Sequence, residues 1–140
     1  MHSHPLETFL LERIGEDEQI AQEAIDAHES GYHWGRVDTV DGRHLMRWNP
    51  WRVISSCMAK RLIITAHSDA GPGVQPGHKD EIVHACRACG CVDQVATEWP
   101  CYTLKVMALS WADHPDYRPD WRPRSSQARG SGEAEGVTAN

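Results

Sequence analysis

The sequence predicts a mainly α-helical protein, a small three-helix domain with a short β-hairpin and a cysteine knuckle. Two stretches carry apolar side chains at three- and four-residue spacing, and a third helical stretch follows Pro100. An Asp-Gly pair between the first two stretches is a turn signal for a two-residue hairpin. Four of the five cysteines fall within residues 84–104, so we expect this stretch to join the elements.

The domain is expected to span residues 1–121. A chain of 140 residues, 40% of them hydrophobic, is long enough for one domain with a modest core. Residues 122–140 are small, polar and rich in Gly and Ser, so we expect a disordered tail after Trp121. No apolar run reaches the roughly 18 residues of a membrane span, and no signal region opens the chain. We therefore expect a cytoplasmic protein.

The first predicted helix begins at Pro5, which suits a first helical turn, and ends at Gly31. Its apolar positions recur at helical spacing: Leu6, Phe9, Leu10, Ile14, Ala21, Ala24 and Ile25. Its other face is acidic: Glu7, Glu12, Glu16, Asp17, Glu18 and Glu23. A solvated helix face is the simpler interpretation of this charge, and a docking surface for a basic partner is the alternative.

The second and third predicted helices have their own start signals. Asn49-Pro50 supplies an N-cap and a first-turn proline for a helix that ends near His67. We expect its buried stripe to consist of Trp51, Ile54, Met58, Leu62 and Thr65. Pro100-Cys101 opens a third helix that runs to Trp111.

The segments between the helices carry turn-forming residues. Alternating residues on either side of Asp41-Gly42, between His33 and Trp48, predict the two-stranded hairpin. The Gly- and Pro-rich segment from Ser68 to His78 shows no core-forming pattern, so we expect a loop there.

The cysteine spacing indicates a zinc site. Cys86 and Cys89 are three residues apart in a C-x-x-C pair, and Gly90 permits the backbone turn with positive φ that such a knuckle needs. Cys101 is the natural third ligand, because a thiolate at a helix start is stabilised by the helix dipole. Cys57 stands apart in a helix, and we interpret it as a small buried residue.

The fourth ligand has three candidates. His67 lies at the end of the second predicted helix, His84 lies two residues before Cys86, and Cys91 lies two residues after Cys89. We prefer His67, because ligation from a helix end would tie the second and third helices together through the metal. A Cys3His set fills a tetrahedron and is structural rather than catalytic.

An enzyme is the weaker hypothesis. A zinc-dependent hydrolase would need an open coordination position, with Glu98 or Asp93 as general base. The sequence contains no H-E-x-x-H, phosphate loop or G-x-S-x-G motif. Asp113, His114 and Asp116 are close enough in sequence for a second site, but a proline-locked turn with His114 and Tyr117 folded back is favoured.

Four blocks carry a family resemblance that covers most of residues 6–122. They are FLLERIGEDEQIA, AKRLIITAH, CRAC and PCYTLKVMALSWADHPDYRPDW. Through them the chain resembles a family of small uncharacterised proteins from actinobacteria and their phages. The resemblance implies a helical zinc-containing domain with His67, Cys86, Cys89 and Cys101 as ligands, and it implies no activity.

The chain departs from that family pattern in two respects. Ser110-Trp111 replaces the usual proline-tyrosine, and Cys57 and Cys91 are additional thiols. Neither departure removes one of the implied ligands.

The function that the sequence predicts is a non-enzymatic, zinc-containing interaction protein. Following the resemblance, we expect a phage-encoded factor that binds a host protein or assembly. The alternative is a nucleic-acid-binding zinc domain that uses the cations Arg52, Lys60, Arg61, Arg87, Lys105 and the arginines near residue 122. The net charge of −6 argues against nonspecific binding of nucleic acid over the whole surface.

Overall fold

The computed structural model describes residues 4–29, 38–75, 78–92 and 95–124. The helices are α1 (Pro5–Glu29), α2 (Val40–Arg47), α3 (Pro50–Ala66) and α4 (Tyr102–Ala108). The strands are β1 (Asp69–Gln75), β2 (His78–Cys86), β3 (Cys91–Val92) and β4 (Val95–Ala96). Two 3-10 turns follow, at Leu109–Trp111 and Pro119–Trp121. The mainly helical class with a small antiparallel hairpin is confirmed, and α1, α3 and α4 lie where helices were predicted.

Helices α1 and α3 pack against each other in antiparallel directions. The rings of His28 and Trp51 meet at 5.6 Å between centroids, whereas Lys60 lies 4.0 Å from Asp17, so the order of contacts reverses along the pair. Arg61 donates two hydrogen bonds of 2.9 and 2.7 Å to Glu18. The bond from Arg61 holds the pKa of Glu18 below its usual range. The predicted end of α1 at Gly31 lies outside the described residues.

The prediction for the buried stripe of α3 was wrong. Its start is as expected, because the Asn49 side chain accepts a hydrogen bond of 3.0 Å from Arg52 N and Pro50 is the first residue. The buried residues, however, are Cys57 and Ile64, whereas Met58 and Leu62 are 61% and 70% exposed. The helix is apolar on two faces, and spacing alone does not say which face meets α1.

The prediction of a hairpin around Asp41-Gly42 was also wrong, because these residues lie in the first turn of α2. Thr39 Oγ1 accepts a hydrogen bond of 2.9 Å from Gly42 N, which satisfies a free amide at the helix start. Asp41 in that first turn is favoured by the helix dipole. Residues 30–37, where the first predicted strand began, lie outside the described residues.

The hairpin lies instead where a loop was predicted. β1 pairs with β2 in antiparallel register from Asp69 opposite Cys86 to Gln75 opposite His78, with irregularities after Asp69 and after Val74. Gly71 has a φ of 99°, and its amide donates to Asp69 Oδ1 at 2.8 Å. A glycine at positive φ and a proline at an irregular position are typical of a bulged strand, which explains how a Gly/Pro-rich segment forms one.

The core lies between the first half of α1, the second half of α3, α4 and the residues around the cysteines. Its members are Leu6, Phe9, Leu10, Ile14, Cys57, Ile64, Cys86, Trp99, Cys101, Leu104, Ala108 and Trp121. Trp121 is 5% exposed, which agrees with its predicted role at the end of the fold. Within the described residues, no helix is both long and apolar enough to cross a membrane.

Candidate metal centre

Each of the four predicted ligands sits at the end of an element or in a tight turn. His67 is the C-cap of α3, with its amide donating to Ile63 O at 2.9 Å. Cys86 is the last residue of β2, and Cys89 lies in the turn that follows. Cys101 is the N-cap of α4. Helix-capping hydrogen bonds and strand pairing set the backbone conformation at such positions, so the fold holds the donor residues in place.

The four donor atoms converge on one point. The ring nitrogen Nδ1 of His67 lies 3.4 Å from Cys86 Sγ, 3.5 Å from Cys89 Sγ and 3.3 Å from Cys101 Sγ. All four donor atoms lie within 4.8 Å of one another. Three sulfurs around one imidazole nitrogen form a compact donor set of the kind that binds zinc.

The separations match a tetrahedral zinc site. Zinc bonds of about 2.3 Å to sulfur and about 2.0 Å to nitrogen, at tetrahedral angles, place a sulfur and a nitrogen about 3.5 Å apart. The observed distances of 3.3–3.5 Å lie close to that value. The four residues are therefore compatible with a metal site such as zinc.

The knuckle turn is stabilised by backbone hydrogen bonds. Gly90 adopts a φ of 59°, and its amide donates to Cys86 O at 2.9 Å. Cys86 N donates to Thr97 O at 2.8 Å, and Thr97 N donates to Gly90 O at 2.9 Å. The positive φ expected of the residue after the C-x-x-C pair is confirmed, and the turn is closed by bonds that do not use the sulfurs.

Burial makes the centre unfavourable for isolated thiolates. Cys86 and Cys101 are 0% and 2% exposed. Burial, followed by hydrogen bonds with these two thiols, raises the pKa of Cys89 to about 12. A divalent cation reverses this preference, because it supplies the positive charge that three neighbouring thiolates lack.

Trp99 supports the site and was missed in the sequence. Its Nε1 donates a hydrogen bond of 2.8 Å to His67 O, which fixes the backbone of the histidine. Trp99 is 9% exposed, and the peptide bond between it and Pro100 is cis. The available signal was its position two residues before Cys101, because residues next to a ligand commonly orient its neighbours.

The two other candidates for the fourth position differ in what the structure shows. His84 is half exposed, and its Nδ1 lies 2.5 Å from Asp69 Oδ2 across the hairpin. It is therefore paired away from the sulfurs. The backbone of Cys91 opens β3, and its side chain lies outside the described residues.

Of the two proposed general bases of a hydrolase, only Glu98 is described, and it does not join the donor set. Glu98 is exposed and lines a shallow cleft of about 160 Å³ with His4, Lys105, Arg118 and Asp120. Asp93 lies outside the described residues. Among the described residues, the cluster of four contains no carboxylate.

The Asp113–Tyr117 segment forms a turn, as predicted, but its rings pack on α1, whereas the prediction had them fold back on the third helix. His114 and Tyr117 meet the ring of Phe9 edge-on, at 5.8 and 6.1 Å between ring centroids. Arg13, 6% exposed, places Nη1 3.0 Å from His114 Nδ1 and donates from Nη2 to Glu16 at 2.8 Å. Sequence analysis did not single out Arg13, although a cation between Leu10 and Ile14 on an apolar face was a visible signal.

The cations of the nucleic-acid hypothesis are partly engaged within the protein. Lys60 and Arg61 are paired with the carboxylates of α1 described above, and Lys60 Nζ also lies 4.5 Å from the Trp111 ring centroid. The Arg52 guanidinium stacks 5.3 Å from the Trp48 ring centroid, and Arg87 donates to Ser68 Oγ at 3.1 Å. Arg129, in the tail, lies outside the described residues.

Comparison with known proteins gives a family and no individual relative. No curated protein and no solved structure matches the chain. A family of unknown function matches residues 3–123, which include the whole of α1 through the turn at Trp121 and all four clustered donors. The chain therefore belongs to the DUF6221 family of unknown function.

Proposed function

We propose that His67, Cys86, Cys89 and Cys101 bind one Zn²⁺ ion and that this ion is structural. The observation that carries the proposal is the set of three Nδ1–Sγ distances of 3.3–3.5 Å, which match a tetrahedral zinc site. Hard, oxygen-preferring cations such as Mg²⁺ and Ca²⁺ are poor fits, because three of the four donors are sulfur.

A structural role follows from where the donors come from. His67 ends α3, Cys86 ends β2 and Cys101 begins α4. A bound ion would cross-link these three elements at their ends. Four protein ligands also complete the tetrahedron, which leaves no position for water or substrate. A hydrolase is therefore not the function we propose.

We propose that the domain stabilised by this ion binds another protein. Following the family resemblance, we propose that the chain is a phage-encoded factor and that its partner is a host protein or assembly. The outward face of α1 supports a basic partner, because it presents Glu12, Glu23 and Asp26 to solvent. Glu23 and Asp26 accept hydrogen bonds from Gln19 and Gln22, which hold the carboxylates on one side of the helix.

Metal analysis of the purified chain tests the zinc proposal. We expect one zinc per chain by elemental analysis, and we expect Co²⁺ substitution to give the intense visible bands and thiolate charge-transfer absorption of a tetrahedral S3N site. A metal content far below one after refolding with excess zinc, or an octahedral cobalt spectrum, would contradict it.

Titration with nucleic acid separates protein binding from the alternative function. We expect no binding of duplex DNA or single-stranded RNA at about 150 mM salt, because Lys60 and Arg61 are paired with Asp17 and Glu18 and the net charge is −6. Fluorescence anisotropy over a salt series provides the measurement. Tight binding that weakens linearly on a log–log plot of affinity against salt would favour the nucleic-acid alternative.

A further inference from the structure

The solvent-facing side of α3 is an apolar surface four turns long. We name it the outer face of α3 and define it by the exposed residues Trp51, Ser55, Met58, Leu62 and Thr65, which recur every three or four residues along one side of the helix. Trp51, Met58 and Leu62 are 47%, 61% and 70% exposed. The opposite side of the same helix, with Cys57 and Ile64, packs against α1. Apolar residues in such a row commonly mark an interaction site.

The hydroxyl groups on this face are already satisfied. Ser55 Oγ donates to Trp51 O at 3.0 Å, and Thr65 Oγ1 donates to Arg61 O at 3.0 Å. Each bond goes to the carbonyl four residues earlier in the same helix. Covering the face would therefore leave neither hydroxyl without a partner, so its burial carries no penalty for an unpaired polar group.

The two cations in the second half of α3 are engaged by α1. Lys60 and Arg61 are paired with Asp17 and Glu18 of α1. The remaining cation, Arg52, stacks on Trp48 near the start of the helix, and the last turn of α3 has no basic residue. A covering element that brings a cation to this last turn would complement the negative end of the helix dipole.

We propose that a second copy of the chain covers this face, with the two α3 helices antiparallel about a two-fold axis between Met58 and Ala59. In this register Trp51 lies opposite Ala66 of the second copy, Met58 lies opposite Ala59, and Leu62 lies opposite Ser55. Each large side chain therefore meets a small one, which is the complementarity that a close helix contact needs.

The same register brings a positive charge to the negative end of the α3 dipole. Arg52 lies opposite Thr65 of the second copy, at the end of α3 whose last turn has no basic residue. A parallel pair would instead set the two Arg52 side chains side by side and align the helix dipoles unfavourably. The charge distribution therefore favours the antiparallel arrangement.

The size of the face sets the strength of the dimer. Residues 51–65 rise about 1.5 Å each, so the contact is about 20 Å long. One helix face of this length covers less than the roughly 800 Å² per partner of a standard stable interface. We therefore expect a dimer that dissociates on dilution through the micromolar range, and this proposal is independent of the proposed metal.

Sedimentation velocity of the metal-loaded full chain over about 1–300 µM tests the proposal. The wild type is expected to shift from monomer to dimer with concentration. Leu62→Glu is expected to weaken dimerisation at least about 100-fold, because each dimer would bury two unpaired carboxylates. Ile20→Glu is the matched control, since Ile20 is an equally exposed apolar residue (66%) on α1.

A compensating change tests the antiparallel register. In Ser55→Lys/Leu62→Glu, each new lysine lies opposite a new glutamate of the second copy, whereas the two positions are two turns apart within one helix. We expect the double variant to recover dimerisation. Circular dichroism and metal content confirm that each variant is folded before it is compared.

Each result supports or overturns a stated part of the proposal. A monomeric wild type at every concentration overturns it and assigns the face to a partner of different sequence. A dimer that survives Leu62→Glu, or one that Ile20→Glu weakens equally, overturns the assignment to α3. Loss with Leu62→Glu and no recovery in the double variant overturns the antiparallel register.

Discussion

Replacing Cys86 with serine is expected to abolish metal binding and unfold the domain. Cys86 is fully buried at the end of β2, with its sulfur 3.4 Å from His67 Nδ1. Structural zinc contributes on the order of 10 kcal/mol or more in small zinc domains, which equals or exceeds the roughly 5–15 kcal/mol by which a typical domain is stable. Loss of helical circular dichroism together with loss of bound zinc is the predicted result.

Cys57→Ala provides the matched control for this experiment. Cys57 is also fully buried and burial raises the pKa of its thiol, yet it does not belong to the cluster of four donors. This variant should keep one zinc per chain and lose only about 1 kcal/mol of unfolding free energy through a small cavity. A Cys86→Ser protein that stays folded with a chelator present would contradict the structural role of the metal.

Replacing Trp121 with alanine is expected to lower the free energy of unfolding by about 3–5 kcal/mol. Trp121 is 5% exposed and packs on Phe9 at 5.1 Å and on Tyr117 at 5.9 Å between ring centroids. The loss of this contact would release the last described turn from α1. Chemical denaturation should show the decrease, with a midpoint temperature about 10–20 °C lower.

Trp48→Ala is the control, because Trp48 is 53% exposed and should cost less than about 1 kcal/mol. Both variants should bind one zinc while folded, which separates loss of packing from loss of metal. If Trp121→Ala were as stable as Trp48→Ala, the C-terminal turn would not belong to the cooperative unit. The boundary of the domain at residue 121 stays a prediction.

The centre could be predicted from the sequence because its constraints are local. A C-x-x-C pair followed by glycine needs one turn, and the structure shows that turn with Gly90 at positive φ. A proline before Cys101 predicts a helix start, and Cys101 is the N-cap of α4. His67 was harder to predict as the fourth ligand, because its distance from the sulfurs depends on how α3 and β2 are placed. Spacing in the sequence therefore left His84 and Cys91 as competing candidates.

The errors arose where local signals were ambiguous. Asp41-Gly42 suits both a hairpin turn and a first helical turn. In the structure it lies in a helix, whose start is capped by the hydrogen bond from Gly42 N to Thr39 Oγ1. The β1–β2 hairpin was hidden because Gly71 and Pro72 are unusual in a strand and are accommodated by an irregular register. The buried side of α3 depends on the contact with α1, which a single helical pattern does not contain.

The β1–β2 hairpin leaves the helical body and returns to it at the same place. Ser68 O accepts a hydrogen bond of 2.9 Å from Arg87 N, and Asp69 lies opposite Cys86, so the two ends of the excursion are closed beside the donor residues. Extra residues at its far end would lengthen the ribbon without displacing His67 or Cys86. That far end is thus a natural grafting position for an epitope or a fluorescent label, at which natural variation in length would also be tolerated.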